Sequence, residues 1–332
     1  IGDRALAEAP RFKGNPTFIH WDIADPADAD GTDREEAAFR TALAMVEERL
    51  PGLRDMIATG TTHSDVHFAP GLSPCITRPD RFDPAVHLPL IAAAGFQCIE
   101  LNCLGGSDDF PWDIPSRVHD LRRIAEDTGI HVFSVHAEGG LGVYRGDRSE
   151  RLAVDLCKVH ADLAAELGAS VVTIHAGISK QEHRAAALDR LRASLDELAR
   201  HVRPMPCTYA WENEALGLSA EEHLQWIRGL GPAAFGFVLD TGHSNIEGNT
   251  AAYLEGSAGL LCSLHLNDNN GKADEHTIPG TGTAQWRGLT ARLERDAYTG
   301  PLLLEILALD PQRDLTRVLA AARVAVDFLK VH

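Results

Sequence analysis

Short runs of consecutive apolar residues recur from about residue 68 to the end of the chain, and amphipathic stretches fill the intervals. The runs cover 96–102, 131–136, 170–175, 207–212, 235–240, 261–266 and 302–306, with a weaker first one near 65–70. Within them apolar residues are continuous rather than alternating, as in Val171-Val172-Thr173-Ile174 and Leu302-Leu303-Leu304. Parallel strands buried on both faces show that pattern. The stretches between, such as 149–167 and 182–202, repeat apolar positions at helical spacing. Gly95, Gly129, Gly168 and Gly231 stand just ahead of a strand, where a helix stops. Eight strand–helix units predict an α/β fold, a (β/α)8 TIM barrel over 63–332. An open doubly wound sheet is the competing reading. It would place a glycine-rich fingerprint after its first strand, and the chain has no GxGxxG, so no nucleotide cofactor is expected.

Residues 1–62 break the pattern and read as an N-terminal extension. A strand-like run at 17–21 precedes an acidic loop at 25–33, and an amphipathic helix over 34–50 ends at Pro51-Gly52. This order, with "LPGLRDM" after it, resembles the first half of a small ferredoxin-like Dabb domain. A cap on the barrel or a dimerisation arm is the other reading, which leaves a homo-oligomer open.

Composition narrows the class. Of 332 residues, 44% are apolar and 24% charged, which suits a folded globular chain and excludes collagen-like or low-complexity sequence. No apolar run approaches the roughly 18–20 residues that span a bilayer. The N-terminus carries no basic-then-apolar signal segment, so a cytoplasmic chain with no membrane partner is expected. The net charge of −17 argues against nucleic acid, whose binding is driven by neutralising phosphates. Six cysteines without a CxxC pair fit reduced thiols.

The residue that follows each apolar run is the informative one. "VFSV" ends in His136, "VVTI" in His175, "CTYAW" in Glu212 and "FGFVL" in Asp240, with His243 three residues on. "LCSL" ends in His265 and "PLLL" in Glu305, and the loop after the seventh run carries Asp274 and His276. A lone buried His is most often a satisfied core residue, and a lone carboxylate at a strand end is often a helix cap. Six in succession converge on the C-terminal rim of the barrel, where TIM-barrel chemistry resides. Several carboxylates crowded there would repel one another in a low dielectric, and a divalent cation removes the conflict. His with Asp or Glu is the ligand set of Zn, Mn, Fe or Co.

The stretches "ENE" at 212–214, "LDTGHSNIE" at 239–247, "HLNDNNGKADEHTIPGTGTAQW" at 265–286 and "LLLEI" at 302–306 resemble the xylose-isomerase-like TIM-barrel superfamily. That superfamily holds sugar isomerases and epimerases, inosose-type dehydratases and apurinic-site endonucleases of the endonuclease IV type. The resemblance covers about 68 to 332. In the isomerase and epimerase members it implies one divalent metal ion (Mn, Co, Mg or Zn) on Glu212, Asp240, His265 and Glu305, with His243 contacting the substrate. In the endonuclease members it implies three zinc ions on nine ligands: His136, His175, Glu212, Asp240, His243, His265, Asp274, His276 and Glu305. All nine positions are filled here. The segment "AEGGLG" after His136 lacks the bulky wedge expected of a duplex-opening protein.

The leading expectation is therefore a metal-dependent isomerase or epimerase of carbohydrate metabolism, or a related dehydratase, acting on a keto-sugar or polyol through a metal-stabilised enediolate. Glu212 and Glu305 are the expected catalytic bases. His136, His175, His243, Asp274 and His276 are expected to bind substrate or further metal. Glu100, Trp112 and Trp286 are candidate substrate contacts, the indoles by stacking on sugar C–H faces. Asn213 and Asp268 are expected to orient ligands from behind. The alternative is a trinuclear-zinc phosphodiester hydrolase acting on abasic DNA.

Overall fold

The computed structural model describes residues 68–330 apart from 79, 143–145, 179–182, 215–216 and 308–313. All lie within one compact unit, His67–Lys330. The N-terminal extension over 1–62, with its Dabb-like and dimerisation readings, lies outside the described residues.

Eight parallel strands form the sheet: β1 (Pro70–Leu72), β2 (Cys98–Asn102), β3 (His131–Leu141), β4 (Val171–Ala176), β5 (Thr208–Glu212), β6 (Phe235–Asp240), β7 (Leu261–His265) and β8 (Leu302–Leu304). Their order is β7-β6-β5-β4-β3-β2-β1-β8, each strand beside its chain neighbour and β8 beside β1. A parallel bridge between Leu266 and Leu304 joins the two ends, so the sheet closes into a TIM barrel. The first strand is only three residues long and starts at Pro70, which is why the apolar pattern marked it weakly.

Helices fill the connections: α1 (Pro84–Ala93), α2 (Pro115–Thr128), α3 (Asp147–Leu167), α4 (Arg184–Val202), α5 (Ala220–Leu230), α6 (Thr241–Glu247), α7 (Thr250–Gly256), α8 (Leu289–Arg295) and α9 (Leu315–Lys330). Local chemistry sets their ends. Proline opens α2, and Gly129 closes it in the left-handed region. Ser219 and Glu222 form a reciprocal capping box at the start of α5.

Because side chains alternate along a strand, each strand feeds two compartments. One face packs against the helices in the main core, where Trp211 lies fully buried 4.3 Å from the ring of His223. The other face fills the barrel. There Val171, Ala210 and Val238 form a small apolar cluster of their own. Further along the strands the inward positions turn polar, through Glu100, Ser134 and Thr173, all fully buried. At the C-terminal rim they end in His136, Glu212, Asp240, His265 and Glu305. The polar end of the barrel is thus built by the last inward position of each strand.

The six cysteines are free, five of them buried. No helix of the described residues is long and apolar enough to cross a membrane.

Candidate functional site

The rim encloses an open cavity of about 160 Å³ lined by His136, His175, Glu212, His243, Asp274, His276 and Glu305. Asp240 and His265 lie just behind this lining, fully buried.

The Asp–x–x–His motif has a local cause. Asp240 ends β6 and caps α6: its Oδ1 accepts from the backbone N–H of His243 at 2.7 Å. One residue therefore contributes a carboxylate and aims the imidazole three positions on. Gly242 between them is required by packing, since a Cβ there would meet Asn267 Oδ1 at 1.9 Å. With glycine in place, Asn267 Nδ2 donates to Asp240 Oδ2 at 2.8 Å. Asn213 braces the same residue through its backbone: its Oδ1 accepts from Asp240 N at 2.7 Å, and its Nδ2 donates to Asp240 O at 2.9 Å.

The loop after β7 is folded around Asp268. Its carboxylate accepts from the N–H groups of Gly280 and Ala284 at 2.9 Å and from Trp286 Nε1 at 3.1 Å. Gly282 permits this closure, because a Cβ would come 2.3 Å from Asn269 O. The loop presents His276 with φ of 47°, a conformation costly for a residue with a Cβ. Its Nδ1 donates to Glu305 O at 3.0 Å, and its Nε2 lies 3.0 Å from Asp274 Oδ2. His243 is held alike: Nδ1 faces Asn213 O at 2.9 Å and Nε2 faces Asp274 Oδ2 at 3.4 Å. Two rings tethered through Nδ1 to backbone carbonyls thus turn both Nε2 atoms to one carboxylate.

Among the described residues, four groups of side chains bring their ligand atoms within 4.8 Å of one another and could hold a metal ion. Glu212, Asp240, His265 and Glu305 form the central one. His136, His175 and Glu212 form a second, and His243, Asp274 and His276 a third. Glu100, His136, His265 and Glu305 form a fourth, deeper group. In the central group His265 Nδ1 lies 3.0 Å from Glu212 Oε2 and 3.3 Å from Glu305 Oε2.

These atoms are close without being well hydrogen-bonded. Glu100 Oε1, His136 Nδ1, Glu212 Oε1 and both ring nitrogens of His265 are buried and make no aligned hydrogen bond. Buried polar groups are normally satisfied, so such a cluster is the expected form of a cation site. Three carboxylates and one imidazole are a donor set that suits a divalent ion.

Burial and mutual charge act on the same groups. Burial pushes the Glu212 carboxyl up, but the His265 and His175 imidazoles overcome it and hold it well below the usual carboxylate range. Burial raises Asp240; His243 opposes the shift, and Glu212 and Glu305 add to it. Burial depresses His136, yet Glu100, Glu305 and Glu212 lift it to about 10. His276 rises to about 9 against burial, through Asp274 and Glu305.

All nine rim residues named from the sequence meet at this site. Four other expectations change. Glu100 neither touches the cavity nor caps a helix; it is fully buried beneath the rim. Trp286 is turned into the core, only 6% exposed and tied to Asp268, so it offers no face for a sugar. Trp112 packs on the core with its ring edge-on to His160 at 4.7 Å, and it does not line the cavity. Asp268 organises the loop rather than any rim side chain. Sequence reading missed Asn267, although it stands two residues after His265. It also missed Arg78, Asn102 and Glu214, which line the cavity from the loop after β1, the end of β2 and the loop after β5. Arg78 follows the weakest strand signal in the chain.

Comparison with known proteins agrees with this architecture. The family model for the xylose isomerase-like TIM barrel matches residues 88–330. The uncharacterized protein y4fM of Sinorhizobium fredii is 27% identical over 249 residues, covering 66% of this chain and 79% of the relative. Among solved structures, a D-tagatose 3-epimerase-like protein superposes with a TM-score of 0.65 at 22% identity, over 78% of this chain and 95% of the other. The 3-keto-D-glucoside 4-epimerase YcjR of E. coli superposes with a TM-score of 0.64 at 17% identity, over 80% of this chain and 100% of the other. At these identities the two superpositions establish the fold.

Proposed function

The chain belongs to the xylose isomerase-like TIM-barrel family, and from that premise we propose that it is a divalent-metal-dependent isomerase or epimerase of keto-sugars or polyols, or a dehydratase of the same kind. The observation that carries this reading is the buried group Glu212–Asp240–His265–Glu305 at the ends of four consecutive strands. Those four residues would hold the ion. A divalent ion there supplies a Lewis acid for a substrate carbonyl and its neighbouring hydroxyl.

The protein's own groups do the rest. Glu212 and Glu305 approach the centre from different strands and are the bases for the proton α to the carbonyl. Return of the proton on the same face to the neighbouring, former carbonyl carbon, with a proton passing between the two oxygens, gives isomerisation; return to the same carbon on the opposite face gives epimerisation. Loss of a β-hydroxyl from the same enediolate gives dehydration, with His175 or His276 at the cavity wall as the acid. The cavity's polar lining of Asn102, Glu214 and Asp274 suits hydroxyl recognition.

The test is solvent deuterium exchange into a panel of ketoses and inososes, run on metal-loaded protein. Exchange at the carbon next to the carbonyl is expected with at least one of them. Its absence across the panel would sink the proposal.

A specific observation favours a second reading, a phosphodiester hydrolase acting on abasic DNA. The nine rim residues fall into three groups, each able to hold an ion. One divalent ion leaves the rim strongly negative, which suits an uncharged sugar. Three divalent ions outweigh the four rim carboxylates and leave the rim positive, which admits an anionic phosphodiester. Metal stoichiometry and an abasic-DNA cleavage assay separate the two readings.

A further inference from the structure

Glu100 lies on β2 two residues before Asn102, which lines the cavity, and so sits deeper in the barrel. Its two oxygens have different surroundings. Oε2 accepts from Ser134 Oγ at 2.8 Å and from Thr173 Oγ1 at 2.9 Å. Oε1 faces two ring nitrogens, His265 Nε2 at 2.9 Å and His136 Nδ1 at 3.2 Å. We propose that Glu100 is a positioning residue that fixes which nitrogen of His265 and of His136 carries the proton.

An ionised carboxylate only accepts. The two hydroxyls pin Oε2, so Oε1 stays where it is; neither ring nitrogen is aligned with it as a hydrogen bond, and its negative charge at 2.9 and 3.2 Å favours an N–H over a lone pair on each facing nitrogen. The opposite nitrogens are then free to bind. For His265 that is Nδ1, which faces Glu212 Oε2 at 3.0 Å and Glu305 Oε2 at 3.3 Å. For His136 it is Nε2, which faces His175 Nε2 at 3.1 Å and Glu212 Oε2 at 3.5 Å. One buried oxygen thereby sets the donor atom in the central group and in its neighbour. A carboxylate behind a ligating imidazole raises the basicity of the ligating nitrogen and fixes the ring. This inference rests on the metal-binding part of the function proposed above.

The test compares E100Q with E100A in zinc titrations of the full chain against a chromophoric chelator. Both variants remove the same charge. In E100Q the hydroxyls of Ser134 and Thr173 hold the amide oxygen, so the amide NH₂ faces both rings and drives their protons to the cavity side. E100Q is therefore expected to lose roughly 10–100-fold in zinc affinity, and to lose more than E100A. A residue serving only as packing gives the reverse order, because alanine leaves a cavity. Zinc binding in E100Q equal to wild type, or weaker binding in E100A than in E100Q, overturns the inference and leaves the metal site standing. A wild-type chain that takes up no zinc overturns the metal site itself and this inference with it. Should E100Q not fold, nitrogen-15 spectra of labelled histidines in zinc-loaded wild type decide. The proton is expected on Nε2 of His265 and Nδ1 of His136, and the opposite assignment overturns the inference.

Discussion

The Nε2 atoms of His136 and His175 lie 3.1 Å apart, with the rings edge to face. Glu212 Oε2 stands 3.1 Å from His175 Nε2 and 3.5 Å from His136 Nε2. Two ring nitrogens at this distance cannot both donate; they share one proton or turn two lone pairs to one cation. Glu212 joins the pair to the central group, and His136 also faces Glu305 Oε1 at 3.5 Å, so His175 is the member whose loss separates the two groups. D240N is expected to release the tightest ion and H175A to retain it, as metal analysis of the purified variants would show. One ion fewer in H175A than in wild type would mean that the second group is filled and would favour the phosphodiesterase reading.

Glu212 and Glu305 carry the proposed proton transfers. E212Q and E305Q are each expected to lower the exchange rate by about 10²–10⁴-fold, the usual contribution of a positioned base. The check is deuterium incorporation under metal-saturating conditions, with thermal melts to confirm folding. A variant that keeps full exchange removes that residue from the mechanism.

An ion held by buried groups from four strands binds the folded chain and not the unfolded one. Stripping it with a chelator is expected to lower the unfolding midpoint, by an amount equivalent to about 2.7 kcal/mol if the free ion stood at a hundred times its dissociation constant. Differential scanning calorimetry before and after chelation measures this, and restoring the ion should restore the midpoint. An unchanged midpoint would contradict a site that spans β5 to β8.

His223 gives the fold a pH dependence outside the rim. Burial pushes its imidazole down to about 3, and Trp211, Phe237 and Tyr253 surround it. The unfolded ring takes up a proton below about pH 6.5 while the folded ring stays neutral. Stability is therefore unaffected by this group above about pH 6.5 and falls as pH drops from there toward 3. The slope reaches at most about 1.4 kcal/mol per pH unit. H223L should remove that much of the acid slope in denaturant titrations at pH 7, 6 and 5. An identical slope in the variant would show that the ring titrates normally.

Gly282 tests the loop that carries Asp274 and His276. G282A drives a Cβ against Asn269 O and Asp268 Oδ1 and should cost about 1–3 kcal/mol of loop distortion. Its expected signature is weaker binding of any ion at His243–Asp274–His276 with the central ion retained. Loss of the central ion first would show that the loop supports the whole rim.

The sequence by itself determined the barrel and its rim. Continuous apolar runs such as Val171–Ile174 are forced by burial on both faces, and the residue ending each run is where the strand leaves the core. A period of two then puts His136, His175, Glu212, Asp240, His265 and Glu305 at the last inward positions without any knowledge of distances. Only the tertiary structure decided what stands behind them. Glu100 reads as one acidic residue in an apolar strand, and nothing local reveals that Ser134, Thr173, His136 and His265 close around it from three other strands. Trp286 reads as an aromatic residue in a rim loop, and only the fold of that loop around Asp268 turns it inward. Periodicity is a property of neighbours along the chain, so it reports which face a side chain takes. Which side chains share that face depends on closing the barrel, and the sequence pattern carries no term for it.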